Sequence, residues 1–328
     1  MSRSVLKSFY CNEVSEGVGA KVRRSIGSMQ MRNFKPFLLL DHFNVDPSAG
    51  FPDHPHRGQE TITYMTKGQF AHQDFTSDKV GILNAGDCQI MRAGRGIMHA
   101  EMPVQGKSGE NIVGMQLWVD LPKHLKHSEP EYRDLRASEI PTVTPNDKVT
   151  VKIISGKAYG VENFQDLSYS PVDYYYYTVQ PGGSFEQSVG ENYNSFIYLL
   201  DGSLEINNKT YDKFNALFFD LNGNKITGSV PEDATSPAEF VLVAGQILDQ
   251  PIVQHGPFVE TSKDLIYKAF MDYQTASNGF ERGKDWRSKI ADGVKEDDLA
   301  KLKQLFYYYL LHHLYSSYLF TLCIFINY

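Results

Sequence analysis

Short apolar-rich runs alternate with Gly, Asn, Asp and Pro turns over most of the chain. Examples are Glu60-Thr-Ile-Thr-Tyr-Met-Thr66, Val80-Gly-Ile-Leu83, Cys88-Gln-Ile-Met91 and Val113-Gly-Met-Gln-Leu-Trp-Val119. Runs of four to eight residues bounded by turn signals predict an all-β sandwich or barrel. Residues 120–146, charged and proline-punctuated, break the rhythm and read as a connector. A second β-rich block follows, with Tyr174-Tyr-Tyr-Tyr-Thr-Val179, Ser195-Phe-Ile-Tyr-Leu-Leu200 and Phe240-Val-Leu-Val-Ala-Gly245. Each block has a strand, a two-residue turn ending in glycine and another strand, around Lys67-Gly68 and Asp201-Gly202, which predicts a duplicated barrel. From Ser262 the spacing becomes helical, and Glu296-Asp-Asp-Leu-Ala-Lys-Leu-Lys-Gln304 reads as a charged surface helix.

The 328 residues suit two domains, and 41% hydrophobic with 22% charged residues is the balance of a soluble globular protein. A net charge of -7 gives no global case for binding nucleic acid. Three scattered cysteines, Cys11, Cys88 and Cys323, offer no disulfide framework or C-x-x-C site, which suits the cytosol or nucleus. The N-terminus lacks the apolar core of a secretory signal. Residues 305–328 contain no Asp, Glu, Lys or Arg and are long enough to span a bilayer. His312, His313, two serines and six tyrosines dilute them. A packed helix, or a stretch without function, is therefore preferred to a membrane anchor.

The chemistry lies in Gly50-Phe-Pro-Asp-His54-Pro-His56-Arg-Gly-Gln-Glu60 and Gly94-Arg-Gly-Ile-Met-His99-Ala-Glu101. Residues i and i+2 of a strand share a face, so each segment presents a pair of donors. If the two strands face each other, His54, His56, His99 and Glu101 converge on one ion. Three nitrogens and one oxygen leave open positions on a six-coordinate ion, which favours iron(II); zinc prefers four ligands, and nickel, manganese and copper are alternatives. An isolated H-x-H is often a surface pair, but two such pairs beside glycine turns in one β block outweigh that reading. His42 and His72 are expected to be structural or to support the site, and His124 and His127 to be solvated.

The segments EGVGAKVRRSIG (16–27), PFLLLDHF (36–43), GFPDHPHRGQET (50–61), AGDCQIMRAGRGIMHAEMP (85–103), GMQLWVDLP (114–122), VQHGPFV (253–259) and NGFERGKDWRSKI (278–290) resemble the pirin family of the cupin superfamily, over residues 1 to about 291. The resemblance implies two cupin (jelly-roll-like) barrels packed face to face with a short C-terminal helical extension. The expected divisions are 1–135, a metal-binding barrel; 136–291, a metal-free barrel; and 292–328, an atypical tail beyond the family's usual end. The family's ligands fall on His54, His56, His99 and Glu101. Glu60, a ligand in many other cupins, becomes pocket lining. No histidine lies between His127 and His255, so the second barrel cannot rebuild the set. His42 stands where many members carry an acidic residue.

Two functions follow from the resemblance. One is quercetin 2,3-dioxygenase activity on a flavonol-like substrate and dioxygen, with Glu101 as the base and Phe51, Glu60, Met91 and Met98 lining the pocket. The other is an iron- and redox-dependent transcriptional co-regulator, a monomer whose partner surface includes Lys21, Arg23 and Arg24. On residues alone, that basic triplet reads better as a solvated strand edge than as a binding patch.

Overall fold

The computed structural model describes residues 1–16, 19–77, 79–163 and 170–299. The apolar tail from 305 and most of the charged helix expected over 296–304 lie outside them. Among the described residues no helix is long and apolar enough to cross a membrane.

The chain folds as two β-barrels, each from a larger and a smaller sheet. In the first, the seven-stranded sheet runs Glu131–Leu135, Cys88–Arg92, Gln59–Lys67, Ile112–Asp120, Phe37–Val45, Ala20–Ile26, Glu13–Ser15. Its smaller sheet centres on Ile97–Gln105, which pairs with both Phe51–His56 and Gln69–Asp74. In the second, the large sheet is built around Tyr193–Asp201, Ala238–Gln246 and Val172–Val179, and Ser184–Ser188 pairs with Lys225–Ser229 in the small one.

The two large sheets pack face to face. Alternation along Gln59–Lys67 sends Ile62 and Tyr64 to this interface and Thr61 and Thr63 into the barrel. There Phe37, Ile62, Tyr64 and Leu117 meet Tyr174, Phe196, Phe218 and Val243, all at most 1% exposed. Burying side chains of this size contributes about 1.5–3 kcal/mol each, so this seam is a main source of cohesion. His42 belongs to it: Nδ1 lies 3.2 Å from the Tyr198 hydroxyl. Burial first, then the Arg23 charge, pushes the imidazole down to about 4, so it stays neutral.

Each barrel also incorporates a distant part of the chain. Val5–Tyr10 pairs with Asn215–Phe219 in the second barrel. In the other direction, Val294–Lys295 adds in parallel to Val104–Gln105, and Ile290 and Val294 pack with Ala71, Ala100 and Met102 of the first. The helix expected after Ser262 forms over Lys263–Gln274, with the Ser262 hydroxyl accepting from Leu265 N. Glu296–Asp298 forms a single 3-10 turn.

Candidate metal centre

Strand pairing brings the two donor segments together. His99 lies opposite His54 and Ile97 opposite His56, with an irregularity before Glu101. Pro55 helps hold the first strand extended between its two histidines. The His99 and His54 Nε2 atoms are 2.9 Å apart, and a donor nitrogen from each of His54, His56 and His99 falls within a 4.8 Å group. Glu101 Oε2 is 4.0 Å from His99 Nε2.

This arrangement fits one ion. Two ligands on bonds of about 2.1 Å are about 3.0 Å apart in adjacent octahedral positions and about 3.4 Å apart in a tetrahedron. The 2.9 Å separation is close enough for His54 and His99 to share one ion. His54 Nδ1–H donates to the Pro52 carbonyl at 2.8 Å, since that oxygen can only accept, and so leaves Nε2 free as a ligand. Burial, followed by the neighbouring imidazoles, pushes His56 and His99 well below the usual histidine value. Both are therefore neutral, as ligation requires. Burial pushes Glu101 up to about 7, against a smaller opposing effect of His72 and hydrogen bonds from Thr63 and Gln116. Three imidazoles beside a carboxyl group are a donor set suited to a divalent transition metal.

Around the donors lies a cavity of about 800 Å³. Its walls include Phe43, Phe51, Phe70 and Trp118, with His54, His56 and Glu101 at the surface and Gln254, Gly256 and Pro257 across the mouth. The Trp118 ring meets His56 edge-on at 5.0 Å. Thr63 Oγ1 reaches Gln116 Oε1 at 2.9 Å, and Gln116 Nε2 reaches Glu101 Oε2 at 3.4 Å.

The remaining expected site residues separate. Phe51 lines the cavity. Glu60 is fully buried but is absent from the cavity wall, because alternation turns it away from Thr61 and Thr63. Met91 and Met98 pack with Phe75, Ile97, Phe258 and Phe280 instead of facing the cavity. Lys21 pairs with Glu13; Arg23 also reaches Glu13 and lies 4.0 Å over the Phe214 ring. Arg24 points the other way: it lines the cavity and holds Asp41 through two bonds of 2.8 and 2.7 Å. His72 lies opposite Glu101 on the next strand and bonds Asp134 at 3.0 Å. Gln59, Thr63, Gln116 and Trp118 escaped the sequence reading: alternation puts Gln59 with Thr63 and Gln116 with Trp118 on one face of their own strands, but the pairing of those strands is seen only in the structure. In the second barrel the corresponding interior holds Tyr177, Phe185, Gln187 and Phe240, with the Tyr177 hydroxyl bonded to Gln187 Oε1 at 2.6 Å.

Two such barrels, with one histidine-rich centre among the described residues, define a cupin protein with a candidate divalent-metal site in its first barrel. Residues 19–119 match the family model described as Pirin, and residues 174–279 that of the Pirin C-terminal cupin domain. The chain is 42% identical to Pirin from Homo sapiens over 293 residues, covering 89% of this chain and 99% of that protein. It is also 42% identical to a pirin-like protein of Solanum lycopersicum over 287 residues, 88% of this chain and 97% of the other. The chain belongs to the pirin family. Among solved structures, a quercetin 2,3-dioxygenase from Acinetobacter baumannii matches with a TM-score of 0.76 at 25% identity, covering 84% of this chain and 98% of that one. A bacterial pirin from Escherichia coli in complex with nickel(II) shares the fold, with a TM-score of 0.59 at 17% identity over 74% of this chain and all of the other.

Proposed function

We propose that the protein is a mononuclear metal-dependent dioxygenase of the quercetin 2,3-dioxygenase type, holding iron(II) on His54, His56, His99 and Glu101. The observation that carries the reading is a buried cluster of three neutral imidazoles and a carboxylate opening into an aromatic-walled cavity. At about 800 Å³ the cavity is within the range of small-molecule sites and suits a flat, flavonol-sized ligand. The structural relative named as a quercetin 2,3-dioxygenase supports the same reading. Iron is preferred to zinc because three imidazoles and one carboxylate leave open positions on a six-coordinate ion, whereas zinc favours a closed four-coordinate site.

Once bound, the ion would supply Lewis acidity toward a substrate hydroxyl. The residues do the rest. Phe43, Phe51, Phe70 and Trp118 exclude water and orient an aromatic ring. Glu101 would help hold the ion and would accept the hydroxyl proton, with Gln116 and Thr63 placed against its carboxyl group.

The test is oxygen uptake with simultaneous loss of flavonol absorbance, on protein whose metal content is known from elemental analysis. Iron-loaded protein should turn over a member of a flavonol panel, and His56→Ala should abolish turnover. Absence of turnover with iron, nickel, manganese and copper alike would refute the proposal.

A further inference from the structure

We propose that Gln59 is a positioning residue that selects Nε2 of His56 as the metal-facing nitrogen, through a carboxamide that turns over when the ion enters. The inference rests on the metal-site reading above. It concerns a residue outside the four donors.

A neutral imidazole has one N–H and one lone pair, and an imidazole that binds a metal through one nitrogen must carry its proton on the other. The partner of that second nitrogen therefore decides which atom faces the ion. For His54 the partner is the Pro52 carbonyl, and the choice is fixed. For His56, 2% exposed, Nδ1 lies 2.6 Å from Nε2 of Gln59, which is itself fully buried.

In this orientation the carboxamide NH₂ donates, Nδ1 accepts, and the proton of His56 sits on Nε2. That form cannot ligate through Nε2. At the same time Gln59 Oε1 is buried without a hydrogen-bond partner. A half-turn of the carboxamide changes both: Oε1 gains the N–H of His56, and the NH₂ moves to the place Oε1 holds. A half-turn about the last side-chain bond exchanges two groups of nearly equal shape. It brings Oε1 to Nδ1, which then carries the proton, and it frees the Nε2 lone pair. No hydrogen bond to Oε1 is broken by the turn, because none exists. Gln59 also begins the strand that carries Thr61 and Thr63 into the barrel, so its backbone is anchored while its end group rotates.

The experiment uses zinc as a diamagnetic probe with the full-length protein. Zinc affinity is measured by competition with a chromophoric chelator, and the ring nitrogens of His56 are assigned from ¹⁵N shifts in the zinc-loaded wild type. The expected result is a protonated Nδ1 and a zinc-bound Nε2. Gln59→Glu, which keeps an acceptor at the same place, should stay within about threefold of wild-type affinity, whereas Gln59→Met, of similar shape but without an acceptor, should bind about 10–100-fold more weakly. Wild-type affinity in Gln59→Met, equal losses in both variants, or zinc on Nδ1 of His56 would each overturn the proposal while leaving the metal site standing. Failure of the wild type to take up zinc or iron would overturn the site and this proposal together. The nitrogen assignment needs no variant, so a misfolded substitution does not block the test.

Discussion

Removing the carboxylate of Asp272 should unsettle the metal strand from more than two hundred residues away. Arg57 directly follows the proposed ligand His56, and its side chain is 2% exposed. Its donors go to Arg95 O at 2.6 Å, Asp272 Oδ2 at 2.8 Å and Asn278 O at 2.6 Å, with the Phe280 ring 4.9 Å away. Asp272 alone among these brings a full negative charge. Asp272→Ala removes the one carboxylate bonded to this buried cation and leaves Glu260 as a charge acting at longer range; breaking a buried pair costs about 3–5 kcal/mol. Two carbonyls and the ring remain, so about 3 kcal/mol is expected. Of the other partners of Asp272, Lys268 is 53% exposed and adds little when released to water, and Asn278 Nδ2 loses a 2.7 Å hydrogen bond. Asp272→Asn keeps most of the hydrogen bonding and should cost about 1–2 kcal/mol, the scale of one charge-assisted hydrogen bond. Urea unfolding followed by tryptophan fluorescence measures both, and chelator competition should show a several-fold weaker metal affinity. Burial alone would raise Asp272, but hydrogen bonds from Lys268, Arg57 and Asn278 outweigh it and hold the group below its usual value. Its contribution is therefore complete near neutrality and is lost as the pH falls through that lowered value. A loss under about 1 kcal/mol for Asp272→Ala at pH 7 would refute this account, given the cost of breaking a buried pair.

Further outcomes follow from other sites. With Glu101 at about 7 in the metal-free protein, zinc uptake at pH 6 should release about one proton and at pH 8 almost none. Calorimetry in buffers of different ionisation enthalpy reads this directly, and a pH-independent proton count would contradict it. Burial raises Asp173 from 3.8 to about 6, so its charged form opposes folding at neutral pH. Asp173→Asn should then add about 1–2 kcal/mol at pH 7.5 after allowance for partial exposure, and nothing below pH 3.8, as thermal melts at the two pH values would show. Gly58 has φ +77°, and a Cβ there would stand 1.9 Å from the Val259 carbonyl oxygen. Gly58→Ala should cost more than about 2 kcal/mol in urea unfolding or prevent folding altogether.

The sequence made the β architecture legible through its turn spacing, and two i, i+2 pairs pointed to the three histidines that cluster and to Glu101 4.0 Å from His99. Alternation tells which residues of one strand share a face, but not which strands pair. Thr63, Gln116 and Glu101 come from three different strands, and nothing in any one segment marks them as neighbours. The basic triplet shows the limit from the other side. Arg23 and Arg24 are adjacent in sequence and so face opposite ways, one onto Phe214 and one into the cavity. Met91 and Met98 illustrate a different ambiguity, because an apolar strand residue has the same pattern whether it meets other side chains or a bound ligand. The Lys263–Gln274 helix was readable from its serine cap, but its role as a clamp on Arg57 was not, because that depends on contacts between distant segments.

The exchange of chain segments between the barrels carries a consequence for biosynthesis. Arg57 is gripped by residues 272 and 278, and Val104 gains its parallel neighbour only at Val294. A ribosome that has released the first 120 residues has exposed every proposed ligand, yet not the scaffold that steadies them. Capture of the ion in its final geometry must therefore await near-complete translation. Severing the gene between the barrels would leave each half without a piece of its own wall.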